Sequence, residues 1–366
     1  MVDFYRNVHC LMGLAIDAMS LPEAAQILNQ ARASRERCFF STPNLNFVIT
    51  SQRSASFRDS VSLSDLSLAD GMPLVWVAKL LGVPLKGRVS GSSLFEFLRQ
   101  HSTSAWNVFF FGGAKGVGQE ACLAVGGPDG AMRACGYIYP GFVDVTDMSR
   151  PDLIDSINAT LADFLVVSLG AVKGQDWICK NMDSLNVPVV AHLGAVINFV
   201  AGTVKRAPAW MQQSGLEWIW RMMQERSLVR RYVNDGLAFL RLLFTQVIPL
   251  AILQCRFTPQ RSEFLRATIY YPPCPQSASL GLRGAWHSSN LDPIRHEFFR
   301  LTNLHNDITI NMSDVTGIDS AFIGLLLLLE MALKKNGCAL QFTGIRPNLA
   351  RQIRLSGAAH LMKREL

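Results

Sequence analysis

An apolar run in Leu66-Ser-Leu-Ala-Asp-Gly-Met-Pro73 ends on an acid, Asp70, and Gly-Met-Pro then turns the chain towards a helix. A carboxylate at such a strand-to-helix corner has two readings. It is a general base that takes a proton from an acceptor hydroxyl, or a cap for the helix that opens near Pro73. Spacing alone leaves both open. Arg88, in Lys86-Gly-Arg-Val-Ser-Gly91, lies in a glycine-flanked loop before another helix. Its guanidinium either meets a phosphate at that helix N-terminus or stays solvated. Farther along, Gly202-Thr-Val-Lys-Arg-Ala-Pro208 and Gly215-Leu-Glu-Trp-Ile-Trp-Arg221 set Arg206 and Arg221 among aromatic residues. Arginines and helix dipoles can stabilise a departing diphosphate without a metal. Glu217 and Arg221 are also four apart, the spacing of a surface ion pair on one helix.

Other phosphate and metal signals are weaker. Val108-Phe-Phe-Phe-Gly-Gly-Ala-Lys-Gly-Val-Gly118 reads as a strand, a glycine-rich turn and a helix start. Its backbone N–H groups suit a phosphate, but Gly112 and its neighbours equally suit close packing, and the Gly-Lys-Ser/Thr ending of a P-loop is missing. No Asp-x-Asp triplet occurs in the chain, and the eight cysteines form no Cys-x-x-Cys pair. They read as reduced thiols, so no metal and no cofactor is expected.

These residues need a scaffold. The 366 residues suit one enzyme domain plus a module of about 100 residues. Alternating strand and helix signals over 21–250 favour an α/β domain with a largely parallel sheet, its strands at 38–41, 106–111, 164–169 and 187–193. Ligands of such sheets bind at the C-terminal ends of the strands. A helix over 21–33 opens with Ser20, Pro22 and Glu23 as a capping arrangement. The Pro-rich stretch within 256–276 breaks the pattern and marks the boundary. After it come a strand at 307–312, a helix at 320–335 stopped by Gly337, a strand at 339–343 and a helix after Pro347, a second α/β unit. The domains are therefore drawn at 1–255 and 262–366.

Composition indicates where the chain works. It is 49% hydrophobic and 17% charged, with a net charge of +7. Lys205, Arg206, Arg221, Arg226, Arg230, Arg231 and Arg241 are interleaved with Trp210, Trp218, Trp220 and Tyr232. That pattern suits a diphosphate or a membrane surface better than duplex DNA, so no nucleic-acid partner is expected. The apolar run 237–253, broken by Arg241, Thr245, Gln246 and Pro249, is read as an interfacial helix or a buried one, its cleanest part being short for a bilayer span. Residues 1–12 lack the apolar core of a signal peptide, so a cytosolic chain is expected, with the run 237–253 and its flanking arginines holding it peripherally on the inner face of the plasma membrane.

Four blocks in chain order resemble the WecG/TagA/CpsF glycosyltransferase family over residues 13–244. They are Ser41-Thr-Pro-Asn44; Ala69-Asp-Gly-Met-Pro-Leu-Val-Trp76 with Arg88-Val-Ser-Gly91; the Gly112-Gly113 turn; and Gly194 through Gly202-Thr-Val-Lys-Arg-Ala-Pro208 into Gly215-Leu-Glu-Trp218 and Arg221. The resemblance implies a Rossmann-like, metal-independent, inverting enzyme. Such an enzyme moves N-acetylmannosamine or a related hexose from UDP to a polyprenyl-diphosphate-linked sugar in cell-surface polysaccharide synthesis. It implies Asp70 as base and Thr42 and Asn44 as pocket-lining residues. Arg206, Arg221 and Arg231 resemble a basic appendage, here about 203–255, that closes over the diphosphate and meets the membrane. Arg88, Gly112, Gln175, Asn198 and Glu217 complete the expected substrate site. The sequence departs from the family at Asn46, where Glu is common, at Asn198, where Asp is common, and at Val172-Lys-Gly-Gln-Asp176, which replaces Pro-Lys-Gln-Glu. Those departures motivate an alternative, a non-catalytic regulatory scaffold that binds nucleotide sugar and signals through the C-terminal STAS-like domain.

Residues 262–362 resemble a STAS domain through Ile308-Thr-Ile-Asn-Met-Ser-Asp-Val-Thr-Gly-Ile-Asp-Ser320 and the apolar helix that follows. Ser320 matches the serine phosphorylated in some members; as a plain residue it reads as the helix N-cap. A protein partner for this domain, and a homo-oligomer, are the further expectations.

Overall fold

The computed structural model describes residues 2–102, 104–126, 130–225, 228–256, 266–271 and 278–362. The chain opens with a hairpin, β1 (Val8–Leu11) and β2 (Leu14–Asp17), followed by α1 (Leu21–Ser34). The start of α1 is fixed as its sequence suggests, with the Ser20 backbone N–H donating to Glu23 at 2.7 Å. Then follow β3 (Cys38–Ser41), α2 (Leu45–Arg53), α3 (Ala55–Ser62), β4 (Leu66–Ser67), α4 (Met72–Leu80), α5 (Gly91–His101), β5 (Trp106–Gly112), α6 (Val117–Val125), β6 (Met132–Ile138), α7 (Pro151–Asn158), β7 (Phe164–Ser168), α8 (Ala171–Asn181), β8 (Val189–His192) and α9 (Val196–Val200).

Six of these strands form one parallel sheet in the order β4-β3-β8-β7-β5-β6. Helices cover both faces, so the central strands bury both sides. Hence β5, β7 and β8 read as near-continuous apolar runs (WNVFFFG, FLVVS, VVAH) rather than alternating ones. Cores form on the two faces, one around Phe40, Leu94, Phe110 and Val166, the other around Phe39, Phe111, Leu165 and Trp177. Gly112, at φ +100, ends β5 where a Cβ would come within 2.6 Å of the Ser168 carbonyl oxygen, so only glycine lets β5 and β7 meet there.

The appendage comprises α10 (Ala209–Ser214), α11 (Glu217–Gln224), α12 (Val229–Leu242) and α13 (Ile248–Arg256), with a π turn, Leu243–Val247, joining the last two. The result is one helix, Val229–Cys255, of 27 residues, with an 18-residue stretch of mean hydropathy 1.9. It is longer than the apolar run read from sequence, and long and apolar enough to cross a membrane by length and composition. The π turn explains why Pro249 fails to break it. Proline removes one backbone donor and crowds the carbonyl four residues back, and the wider turn just before it absorbs both effects. Leu242, Val247, Leu250 and Leu253 are buried, whereas Val229, Val233, Leu237, Leu240, Phe244 and Ile252 stand in solvent.

The C-terminal unit holds β9 (Thr268–Tyr270), β10 (Ala278–Trp286), α14 (Asp292–Thr302), β11 (Ile308–Ile318), α15 (Ser320–Lys335), β12 (Leu340–Thr343) and α16 (Pro347–Leu355). Its sheet runs β12-β11-β10-β9, with only the β9–β10 pairing antiparallel. Part of its core comes from the other end of the chain, because Phe4, Val8, Cys10 and Ala15 pack among Leu280, Phe298, Phe322 and Leu325. Leu11, Leu14 and Ile16 of the same hairpin instead join Phe47, Val48, Leu74 and Val77 of α2 and α4. Gly13 and Gly357 touch here; a Cβ on Gly13 would sit 2.6 Å from the Gly357 carbonyl oxygen. The stretch 272–275, with three of the prolines expected to mark the boundary, lies outside the described residues. So does Cys274; the other seven cysteines are free thiols, and Cys255 is exposed.

Candidate active site

Three neighbouring strands deliver the site. β4, β3 and β8 are adjacent, and at their C-terminal ends the chain continues into Asp70, Thr42 with Asn44, and Asn198 respectively. Backbone hydrogen bonds lock these segments together. Leu68 donates to the Ser41 carbonyl at 2.9 Å and Asp70 to the Pro43 carbonyl at 2.8 Å, while Val89 donates to the Ala69 carbonyl at 2.8 Å. The Arg88 loop is thereby tied to the Asp70 corner.

Of the two readings of Asp70, the cap is the one the structure does not bear out. Helix α4 starts at Met72, its N-cap is Gly71 at φ +107, and no side chain caps it. Asp70 instead faces the basic appendage from a half-buried recess. Burial pushes its carboxyl up to about 7; against that, Arg88 pulls it down, Glu217 pushes it up, and Arg221 and Arg206 pull it down. Residues from three separate segments thus converge on one carboxylate. Gly215 makes this approach possible. It sits at φ +79, and a Cβ there would come within 2.6 Å of Met72, so the turn into α11 settles directly on the start of α4.

The charged groups around Asp70 are themselves partnered. Arg88 Nη1 donates to Glu217 Oε2 at 2.8 Å, with both side chains mostly buried, so Glu217 bridges across the site instead of pairing with Arg221 along its own helix. Arg206 Nη2 reaches Ser93 Oγ at 3.1 Å and Ser92 Oγ at 3.3 Å, in the first turn of α5. Arg221 lies over the Phe199 ring at 5.9 Å. The Nε atoms of Arg206 and Arg221 are buried without a protein partner, which leaves donor capacity for an anion. The N-terminus of α5, capped by Ser90, adds its dipole at the same place.

The remaining expected residues divide. Thr42 is buried, and its methyl packs where the backbone of Gly91 passes, close to Leu193. Asn44 caps α2 by accepting from the Phe47 N–H at 3.2 Å. Asn198 lies in α9, its backbone carbonyl accepting from Thr203 Oγ1 and the Val204 N–H. Gln175 is fully buried and donates through Nε2 to Ser41 Oγ at 2.9 Å, so it supports the end of β3 from beneath and touches no surface. Gly112 ends β5, four strand positions from β4, which at about 4.8 Å per strand is roughly 19 Å away. Arg231 is exposed, stacks over Tyr232 at 5.3 Å, and lies outside the group acting on Asp70. The sequence reading passed over Asp235, which is buried on α12, accepts from Asn46 Nδ2 at 3.3 Å and is raised chiefly by that burial. Asn46 thus stands bonded to a carboxylate that a Glu there would repel.

In the C-terminal unit the expected cap is corrected. Asp319, not Ser320, caps α15, accepting from the Phe322 N–H at 2.8 Å. The Ser320 hydroxyl is instead 2.9 Å from His9 Nδ1, across the contact with the N-terminal hairpin.

A carboxylate at the C-terminal edge of a parallel α/β sheet, faced by guanidinium groups from the Arg88 loop and the appendage, suits a group-transfer enzyme. Residues 9–251 match the profile of the glycosyl transferase WecG/TagA/CpsF family, and the chain belongs to that family; it is a glycosyltransferase. Residues 274–363 match the Mlab, STAS domain. The chain is similar to N-acetylglucosaminyldiphosphoundecaprenol N-acetyl-beta-D-mannosaminyltransferases. It is 29% identical to that of Bacillus spizizenii over 197 residues, covering 54% of this chain and 75% of the relative. The Staphylococcus aureus MRSA252 relative is 24% identical over 53% of this chain and 74% of its own length. That of Bacillus subtilis strain 168 is 26% identical over 50% and 70%.

Proposed function

We propose that the chain moves an N-acetylhexosamine of the N-acetylmannosamine type from UDP to a polyprenyl-diphosphate-linked sugar, with inversion and without a metal. The single observation that carries this reading is the Asp70 carboxyl, raised to about 7 beside Arg88, Arg206 and Arg221. A carboxylate poised near neutrality can take the acceptor hydroxyl's proton, since catalytic efficiency is greatest when the base titrates near the working pH. Charge then builds on the departing diphosphate, and fixed guanidinium groups in a partly dry recess stabilise it without reorganising. The names of the relatives support the lipid-linked acceptor. The exposed apolar face of Val229–Cys255, with the exposed Trp210, Trp218 and Met223 of the same appendage, supports a position on the cytoplasmic membrane surface, where such an acceptor presents its headgroup. We keep the domain division at 1–255 and 262–366, with the N-terminal hairpin as the piece the two share.

The test is release of UDP from a panel of UDP-hexoses, with and without a polyprenyl-diphosphate-GlcNAc acceptor, in EDTA. Acceptor-dependent release that survives EDTA and is lost in Asp70→Asn is the expected result. Binding of UDP-sugar with no turnover on any acceptor would refute the reading and leave the non-catalytic scaffold.

A further inference from the structure

We propose that the C-terminal STAS domain is a brace, acting within its own chain, for the loop that carries Asp70, with Arg295, Arg6 and Asp17 as positioning residues. The proposal rests on the reading of Asp70 as the base. Three observations lead to it.

The first is a continuous run of hydrogen bonds from α14 to β4. Arg295 is buried, and its Nη1 donates to the Phe4 carbonyl at 2.6 Å and the Arg6 carbonyl at 2.9 Å. Its Nε also lies 3.7 Å from Asp292. Arg6, pinned in this way, grips Asp17 from two sides, Nε to Oδ1 at 3.1 Å and Nη2 to Oδ2 at 2.6 Å, and its Nη1 donates to the Ser64 carbonyl at 2.9 Å. Asp17 Oδ2 in turn accepts the Ser67 N–H at 2.6 Å. Ser67 ends β4, three residues before Asp70.

The second is that β4 is too short to hold itself. It is two residues long and sits at the edge of the sheet, paired with β3 alone. Among the described residues no second strand shares a backbone ladder with it; β2 lies alongside, and its last residue, Asp17, together with Arg6 supplies by side-chain hydrogen bonds what a ladder otherwise would. The Arg6 and Asp17 side chains are only 8% and 0% exposed. A buried ion pair holds its geometry only while its remaining groups are satisfied; the Ser64 carbonyl and the Ser67 N–H do that, while Arg295 holds the Arg6 backbone.

The third is the burial of α15. A helix covering one face of a small sheet ordinarily leaves its other face in water. Here 12 of its 16 residues are buried, because the hairpin covers the side turned away from the sheet. Gly324 lies against the His9 backbone, where a Cβ would come within 3.1 Å. The domain's principal helix is therefore spent on contact with its own transferase.

The experiment compares the full chain with Arg295→Met, Arg295→Lys and Lys334→Met. Lys334 reaches Asp59 of α3 at 3.4 Å, so its loss weakens the contact between the two units without touching the path described. Two readouts are taken: amide hydrogen exchange over residues 66–70, and acceptor-dependent turnover with UDP affinity. Arg295→Met is expected to speed exchange at 66–70 and lower kcat by roughly 10- to 100-fold, the scale of misplacing a reacting group by about 1 Å, with UDP affinity within about twofold. Arg295→Lys should fall between, and Lys334→Met should change neither. Unchanged exchange at 66–70 in Arg295→Met overturns the proposal, as does an equal loss of turnover in Lys334→Met. Should Arg295→Met not fold, the lysine variant decides by the same two readouts. Asp70→Asn separates the two ideas: if it keeps turnover, the base assignment fails, while exchange at 66–70 still reports on the brace.

Discussion

Replacing Asp70 by Asn should abolish transfer and at the same time make the protein more stable at alkaline pH than the wild type. Burial raises the carboxyl from 3.8 to about 7, so the folded chain holds this proton more tightly than the unfolded chain does. Stability from this group is therefore full below about pH 4, declines as the pH rises towards 7, and is level above it. At about 1.4 kcal/mol per pH unit, the interval from pH 5 to 7 corresponds to about 3 kcal/mol, which solvent contact at the half-buried corner reduces to about 1–2 kcal/mol. Asparagine has the same shape and no proton to lose. The stability of Asp70→Asn relative to wild type should therefore grow by about 1–2 kcal/mol between pH 5 and pH 8, read from urea midpoints by tryptophan fluorescence. UDP affinity, measured by calorimetry in the same buffers, should stay within a fewfold. A stability difference that does not change with pH would show that Asp70 is not desolvated, and the reasoning that poises it as a base would fall with it.

The charges around Asp70 give a second test in the acid limb of kcat/KM, expected near pH 7 in the wild type. Arg88 lowers and Glu217 raises the carboxyl, so Arg88→Met should move the limb up and Glu217→Gln should move it down. Movement in the same direction would contradict the arrangement. At the membrane, Leu237 and Phe244 are 63% and 66% exposed on one side of the long helix. The double replacement Leu237→Glu/Phe244→Glu should abolish co-sedimentation with anionic vesicles while turnover on a short, water-soluble acceptor stays within about twofold; retained sedimentation would remove this helix from the membrane contact.

The apolar runs of β3, β5, β7 and β8 and the helices between them were legible because a strand buried on both faces must be apolar throughout, and that is a property of the run itself. The capping arrangement of α1 and the helix 320–335 were legible for the same reason, since their signals lie within a few residues. Asp70, Arg88, Arg206 and Arg221 could be chosen as candidates, but spacing could not place them together. They come from strand ends and an appendage that only the sheet order and the Gly215 turn bring to one recess. Glu217 shows the difference sharply: four residues from Arg221, it pairs with Arg88, 129 positions away. Likewise Ser320, read as a cap, faces His9, because the hairpin that meets it lies 311 residues earlier. That hairpin gave no sequence signal. Its strands are four residues each and buried between two units, so they show neither the alternation of a half-buried strand nor the length of a core strand. Local sequence determined the elements and the residue types that chemistry needs. Which of those residues share a recess, and which end of the chain completes the STAS domain's core, was decided by contacts between segments hundreds of residues apart, and no local pattern encodes such pairings.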